Sequence, residues 1–376
     1  MTTFDVMVLG GGPAGAATAL TLARHGCSVA VAEQSDYAGD RPGEALPPAI
    51  QPLLVKLGVW ERFLEQKPAP SFGVRSAWGS AELLSQDFIF SPYGSGWHVA
   101  RNRFDALLAR CAAEAGAQLY TSVAEAQIVE KNGAWQIDLS TDGKRRRFRA
   151  ALIVDATGRR ATFARKHGVR RIMFDSLIGA SVIFPARDST PSGFTLIEAV
   201  ENGWWYSSVL PDGRLIVVYM TDGDIYASVR KGGWHERDGR NGRDGWRAQL
   251  DLTRNTRSRI DLRDLVIPEV RLAAANTSRL DRVSGPNWLA VGDAAMAFDP
   301  LSGQGIYKAI QFGIQAAESI LRRNGHGDAP FQQYEDSIAR SYTAYMSSWY
   351  QFYSRERRWQ NAPFWQRRNL AADFRR

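Results

Sequence analysis

Phe4-Asp5-Val6-Met7-Val8-Leu9-Gly10-Gly11-Gly12-Pro13-Ala14-Gly15, running on into Ala16 to Ala23, is the stretch that decides the fold. An apolar run, a glycine-marked turn and a series of good helix formers read as strand, tight turn and helix. Gly10 permits the turn, Gly12 lets the backbone approach a pyrophosphate, and Gly15 lets the helix lie close on the sheet. Pro13 and Ala14 open that helix, whose unpaired N–H groups and positive dipole end favour phosphate. A second strand, Ser28 to Ala32, ends at Glu33, about the 20 residues further on where a carboxylate accepts hydrogen bonds from an adenosine ribose. Strand, turn, helix and acid together predict a dinucleotide site.

Glu33 does not distinguish NAD from FAD, because both carry the same ADP half. The distinction comes from later segments. Leu152-Ile153-Val154-Asp155-Ala156-Thr157-Gly158 reads as a buried strand entering a turn, and Trp288-Leu289-Ala290-Val291-Gly292-Asp293 as a second such strand ending in Gly-Asp. Asp293 is placed to reach a ribityl hydroxyl or, through water, the pyrophosphate. Beyond it, Pro300-Leu301-Ser302-Gly303-Gln304-Gly305 opens a helix with apolar positions at Ile306, Ile310, Gly313, Ile314 and Ala317. Its N-terminus, aimed at an isoalloxazine ring, would stabilise negative charge on a reduced flavin. FAD held at both ends is the expectation, with Gly10, Gly12, Pro13, Ala14, Gly15, Glu33, Asp155, Gly158, Gly292, Asp293, Pro300, Gly303, Gln304 and Gly305 as its binding residues.

From Phe4 to about Arg323 these motifs resemble, in family order, the p-hydroxybenzoate hydroxylase-like superfamily of FAD enzymes. The resemblance implies an α/β (α+β) fold: a Rossmann-like FAD-binding domain of the glutathione-reductase-2 type with an inserted, mostly antiparallel β-sheet substrate domain and a C-terminal helical region. Arg41-Pro42-Gly43-Glu44-Ala45-Leu46-Pro47 is similar to the segment that passes beside the flavin in the halogenase-like branch. His98-Val99-Ala100-Arg101 followed by Phe104-Asp105 resembles the strand and helix whose arginine approaches the cofactor. Arg41 and Arg101 therefore join the FAD-binding set. Trp78-Gly79-Ser80, Pro92 to His98 and Tyr353 to Trp359 are similar to flavoproteins that mature cysteine tryptophylquinone-containing oxidases, which implies a partner oxidase protein as substrate.

Composition agrees with a folded enzyme: 376 residues at 44% hydrophobic content can bury a large core in about two domains. No apolar run reaches the roughly 18 residues needed to cross a bilayer. The N-terminus enters a strand without a basic lead or signal-peptide core, which predicts a cytoplasmic protein. Cys27 and Cys111 sit in no metal or redox spacing, and the scattered histidines form no metal pair. The net charge of +8 is uneven, with seven arginines against Glu356 and Asp373 from Ser354 to Arg376. A second basic stretch, Arg230 to Arg259, holds Trp234 and Trp246. No nucleic-acid fold signature accompanies either, so solvated faces or an acidic protein partner are the expectations. The Arg-Asp-Gly doublet, Arg237 to Gly239 and Arg243 to Gly245, reads as a surface loop.

Motif order predicts an FAD-binding domain in three pieces, 1–75, 98–175 and 281–330, and a substrate domain from 76–97 and 176–280. The larger insert carries strand-like runs at Leu177 to Phe184, Phe194 to Val200, Trp204 to Leu210 and Leu215 to Met220 between glycine-containing turns. Thr141-Asp142-Gly143 marks a hairpin with Lys144 to Arg149 on its rim. The last segment, 331–376, is helical and basic-aromatic, with Phe331, Tyr334, Ile338, Tyr342, Tyr345, Trp349, Phe352 and Tyr353 on one face. Residues 361–376 are expected to be dispensable for the cofactor.

On such a scaffold a reduced flavin reacts with oxygen to a hydroperoxide, whose distal oxygen passes to an electron-rich ring if water is kept out. Trp78, Trp97, Trp204, Trp205 and Tyr206 are the expected aromatic walls of the substrate pocket, and His98 the candidate proton donor or orienting group. Hydroxylation of a tryptophan-like group is the leading reading. FADH2-dependent halogenation or small-molecule hydroxylation, a geranylgeranyl-reductase-type reduction and a flavin-bearing chaperone are the alternatives. In the halogenases the resemblance implies a relay lysine in the small insert, yet Pro68 to Gly96 contains none and Lys67 lies just outside. Gly203-Trp204-Trp205-Tyr206 also departs from their Gly-Trp-x-Trp pattern. Asp155-Ala156-Thr157-Gly158 departs from the Asp-Gly pattern of single-component hydroxylases, so NAD(P)H and a separate flavin reductase both stand as electron sources, with molecular oxygen as co-substrate.

Overall fold

The computed structural model describes residues 1–141, 143–186, 193–231, 241–260, 267–323 and 327–370. Its first strand, Thr2–Leu9, is buried from Val6 onward, as suits a central strand covered on both faces. It pairs in parallel with Lys144–Asp155 on one side (Val8 opposite Val154) and with Val29–Ala32 on the other (Val8 opposite Val31). Gln118–Tyr120 extends this sheet past Val29–Ala32, and Trp288–Ala290 extends it past Lys144–Asp155, both in parallel. The strands Val123–Lys131 and Ala134–Thr141 join antiparallel to Lys144–Asp155, with Thr141 opposite Lys144 at the turn and the arginines 145–147 exposed. Helices Pro13–Arg24, Arg101–Glu114 and Gly305–Arg322 pack around this layer.

A second, seven-stranded sheet runs in the order Arg271–Ala274, Leu177–Phe184, Leu215–Asp222, Gly203–Val209, Phe194–Val200, Gly73–Ala77, Leu84–Asp87. Every neighbouring pair is antiparallel except Phe194–Val200 with Gly73–Ala77. Gly73–Ala77 thus crosses the expected boundary at residues 75 and 76. The reason is tertiary: its ladder partner lies about 120 positions away in the larger insert. Trp246 is buried, and its indole N–H donates to the Ala180 carbonyl at 2.9 Å. Arg243 to Gly245 is helical, within Asn241–Asp251, and not a loop. Trp234 and the first Arg-Asp-Gly lie outside the described residues.

The long helix Ala329–Tyr353 buries Phe331, Tyr334, Ile338, Trp349 and Tyr353 of its aromatic stripe, while Phe352 is exposed. A final helix, Pro363–Leu370, lies against the second sheet. Phe364, Trp365 and Arg368 are fully buried there. Arg368 donates to Asp222 Oδ1 at 2.8 Å and to Asp222 Oδ2 at 3.2 Å, and Trp365 donates to the Val200 carbonyl at 3.0 Å. Arg367 bridges Asp222 and Asp224, and Arg358 pairs with buried Glu356. Residues 363–370 are thus packed against the second sheet, and Arg368 neutralises the buried Asp222. Among the described residues no helix is long and apolar enough to cross a membrane.

Candidate functional site

Between the two sheets lies a cleft of about 1190 Å³. Two helix N-termini open onto it. At the first, Gly10 has φ +103°, and a Cβ there would stand 2.3 Å from the Ala156 carbonyl oxygen, so only glycine makes this turn. A Cβ at Gly15 would stand 1.9 Å from the Gly10 carbonyl oxygen, so helix and turn touch through the missing side chain. Gly12, by contrast, has nothing within 4 Å of such an atom and faces the cleft. No side chain caps helix Pro13–Arg24, which leaves first-turn N–H groups without a partner in their own helix. At the second N-terminus, Gly303 has φ +60° and Gln304 is an N-cap whose side chain makes no capping bond to helix Gly305–Arg322.

The two turns are in contact. A Cβ at Gly292 would stand 2.6 Å from Ala14 Cβ, and one at Gly313 would stand 2.4 Å from the Ala14 carbonyl oxygen. Thr18 Oγ1 donates to the carbonyls of Ala14 and Gly313 at 2.9 and 3.0 Å. Segments nearly 300 residues apart therefore form one cradle, electropositive from two dipoles, shaped for an extended anion.

Gly10, Gly12, Pro13, Ala14, Glu33, Arg41, Arg101, Gly158, Asp293, Pro300, Gly303 and Gly305 all line the cleft. Gly15 and Gly292 lie beneath it as contact points, and Gln304 is exposed. Asp155 does not line it: its buried carboxylate accepts from Thr157 N–H and Oγ1 and from Ala164 N–H, holding the turn that presents Gly158. Glu33 Oε2 accepts from Gly11 N–H at 2.7 Å, and Oε1 accepts from Ser35 and from Arg41 at 3.3 Å. Arg101 donates to Asp105 and, at 2.8 and 3.2 Å, to the carbonyls of Pro42 and Gly43. Its guanidinium thus pins the 41–44 segment. Asp293 pairs with Arg159 at 3.5 Å.

Of the five expected substrate-pocket residues only Tyr206 reaches the cleft. Trp78 and Trp204 are covered by the C-terminal helices: Trp204 donates to Tyr353 OH at 3.0 Å, Trp78 to the Phe352 carbonyl at 2.8 Å, and Trp78 sits edge-on to Trp204, Tyr353 and Trp365. Trp205 points to the other face, as strand alternation requires, and stacks on Tyr219 at 4.8 Å. Trp97 packs edge-on to Trp60 and Phe63. The second sheet floors the cleft with Ile216, Val218, Met220 and Ala273 to Ala275 instead. His98 is also away from it: 1% exposed, its Nε2 lies 3.1 Å from Thr195 Oγ1, and burial holds the imidazole below its ordinary range.

Glu44 is the cleft residue that sequence reasoning did not single out. It is 1% exposed, and its Oε1 accepts from Tyr206 OH and, at 2.6 Å, from Ser208 Oγ. Burial and the adjacent carboxylate raise the Tyr206 phenol well above its ordinary range, so it stays a donor. The available signal was Tyr206 and Ser208 two apart on one strand face, opposite a lone acid in the apolar segment Gly43 to Pro47. Asp299 also lines the cleft; it is fully buried and accepts from Tyr353 OH at 2.7 Å, Trp349 Nε1 at 3.0 Å and Leu301 N–H at 2.9 Å. Burial pushes its carboxyl up to about 6.

A model of the FAD binding domain family matches residues 3–334. The FAD-dependent oxidoreductase LodB of Marinomonas mediterranea is 29% identical over 372 residues, covering 98% of either chain. A peptidyl-carrier-protein-dependent 1H-pyrrole-2-carbonyl chlorinase of Pseudomonas fluorescens is 25% identical over 93% of this chain and 82% of its own. Among solved structures, the flavin-dependent halogenase CmlS superposes with a TM-score of 0.85 at 25% identity, over 98% of this chain and 68% of that one. The peptidyl tryptophan dihydroxylase QhpG shares the fold, with a TM-score of 0.78 at 24% identity over 98% and 79%.

Proposed function

The chain belongs to the FAD binding domain family, and on that premise we propose that this FAD-dependent oxidoreductase is a monooxygenase hydroxylating a tryptophan-like ring that a partner protein presents. The carrying observation is the cleft itself: two glycine turns and helix N-termini suited to FAD at one wall and an apolar floor at the other that carries a hydrogen-bonding cluster, Glu44, Tyr206 and Ser208. Such a wall suits a flat, electron-rich ring with a single polar edge. The resemblance to quinone-cofactor maturation flavoproteins and the fold shared with a peptidyl tryptophan dihydroxylase favour a protein-borne ring.

The residues present fit FAD. Ala14 and the turn before it would hold the pyrophosphate, Glu33 the ribose, and the Gly305 helix N-terminus the ring system. When bound and reduced, FAD supplies the oxygen-activating chemistry. The chain's part is to exclude water with Ile216, Val218 and Met220, to orient the ring and to neutralise developing negative charge with the uncapped second helix. Reducing equivalents come from NAD(P)H directly or from a separate flavin reductase.

Halogenation is the second reading, favoured by the chlorinase and halogenase relatives. Against it stands the insert without a lysine; Lys67 is exposed and does not line the cleft. Incubating FAD-loaded protein with reductant, oxygen, bromide and tryptophan-containing peptides separates the readings by product mass. One added oxygen supports hydroxylation, bromine in place of hydrogen supports halogenation, and product formed under argon would overturn both.

A further inference from the structure

The cleft lining includes a buried carboxyl group, that of Glu44, which is only half used. Glu44 Oε1 receives two hydroxyl donors, from Tyr206 and Ser208. Among the described residues Oε2 has only the N–H of the preceding residue, Gly43, at 3.2 Å. A carboxylate offers about four acceptor positions. Among the described residues no lysine or arginine forms an ion pair with it, since Arg101 gives its donors to Asp105, Pro42 and Gly43. Burying a polar oxygen this poorly partnered carries a cost that a further donor would remove. Glu44 and Tyr206 both line the cleft, so that donor has a route in from solvent.

We propose that Glu44 is the substrate-selecting residue of the cleft, accepting the N–H or O–H of the aromatic ring, with Tyr206 and Ser208 holding the carboxylate in place. This rests on the monooxygenase reading above and names its substrate class: aromatic rings that carry a free hydrogen-bond donor, indoles and phenols, as against their N- or O-methylated counterparts. A site built to accept such a donor rejects the analogue lacking it, because the buried acceptor is then left unpaired.

The test uses the FAD-loaded, oxidised protein and needs no turnover. Indole, 1-methylindole, phenol and anisole are titrated while the visible flavin band is followed. The parent protein is expected to bind indole over 1-methylindole, and phenol over anisole, by about ten- to a hundredfold. In Glu44→Gln the amide oxygen keeps the Tyr206 and Ser208 donors and the amide N–H2 replaces the free acceptor, so the preference falls to about one or inverts. Equal binding of methylated and parent probes to the wild type overturns the proposal, as does absence of any spectral response up to probe solubility. If Glu44→Gln weakens FAD binding but keeps the probe ratio, Glu44 faces the cofactor and the proposal is likewise overturned. Should that variant fail to fold, the wild-type ratio decides alone. Because no oxygen is consumed, this outcome is independent of whether hydroxylated product forms.

Discussion

Replacing Gly12 with valine separates the cofactor cradle from the fold that builds it. The backbone at Gly12 is extended (φ −69°, ψ −176°), a conformation valine adopts, and no protein atom lies within 4 Å of the new Cβ. The apoprotein should lose less than about 1 kcal/mol, the scale of a weakened helix N-cap. The isopropyl group instead occupies the space in front of the uncapped N-terminus. If it displaces phosphate from two backbone N–H groups, at about 1.5–3 kcal/mol for each charge-assisted bond, the loss is about 3–6 kcal/mol. That corresponds to roughly two to four orders of magnitude in the Kd for FAD. The matched control is Gly15→Val, whose Cβ would sit 1.9 Å from a backbone oxygen, so it should fail at folding. Flavin fluorescence titration reads the affinity, and urea denaturation of the apoproteins reads stability. A Gly12→Val protein that binds FAD as tightly as its parent would refute the placement of the pyrophosphate.

Arg368→Met leaves Asp222 buried with only half-exposed Arg367 as partner, and should cost about 3 kcal/mol in chemical denaturation; adding Asp222→Asn should recover part of it, and a fully stable single variant would contradict the pairing. Asp299 gives a pH signature: its folded-state carboxyl titrates at about 6 against 3.8 for the ordinary group. Its contribution is therefore fully present below pH 3.8 and lost as pH rises toward and through 6, because the folded state holds the proton longer. The wild type should show this falling component between pH 4 and 6 and Asp299→Asn should lack it; identical slopes would exclude Asp299 as its source. Gly313→Val drives a side chain into the Ala14 carbonyl, so FAD binding and thermal stability should fall together, and loss of neither would show that the helix contact is dispensable.

The cradle was legible because its signals are local. A strand ending at Leu9, a positive φ at Gly10 and a helix beginning at Pro13 are written within a dozen residues, and the positive φ at Gly303 stands two residues before its own helix, Gly305–Arg322. The same holds for the strands of the second sheet, where period-two runs and glycine turns give each element without knowledge of its partner. The site's polar chemistry was not legible, since Glu44 meets Tyr206 and Ser208 across 162 and 164 positions. Nor were the fates of Trp78 and Trp204, which the last two helices cover, or of Arg367 and Arg368, whose charges are answered by Asp222 and Asp224. An arginine-rich terminus looks alike in sequence whether it is solvated or folded back onto buried acids.

The contact between Ala14 and the Gly292 and Gly313 positions has a consequence for biogenesis. Strand Thr2–Leu9 and helix Pro13–Arg24 leave the ribosome nearly 300 residues ahead of the surface that packs against their turn. Until then the nascent chain exposes an unfinished apolar layer, the circumstance in which long-range topologies fold slowly and aggregate. If these turns hold the flavin, it can be captured only once Gly292 to Gly313 has been made, so cells short of it should accumulate a protease-sensitive apoprotein that already contains that segment.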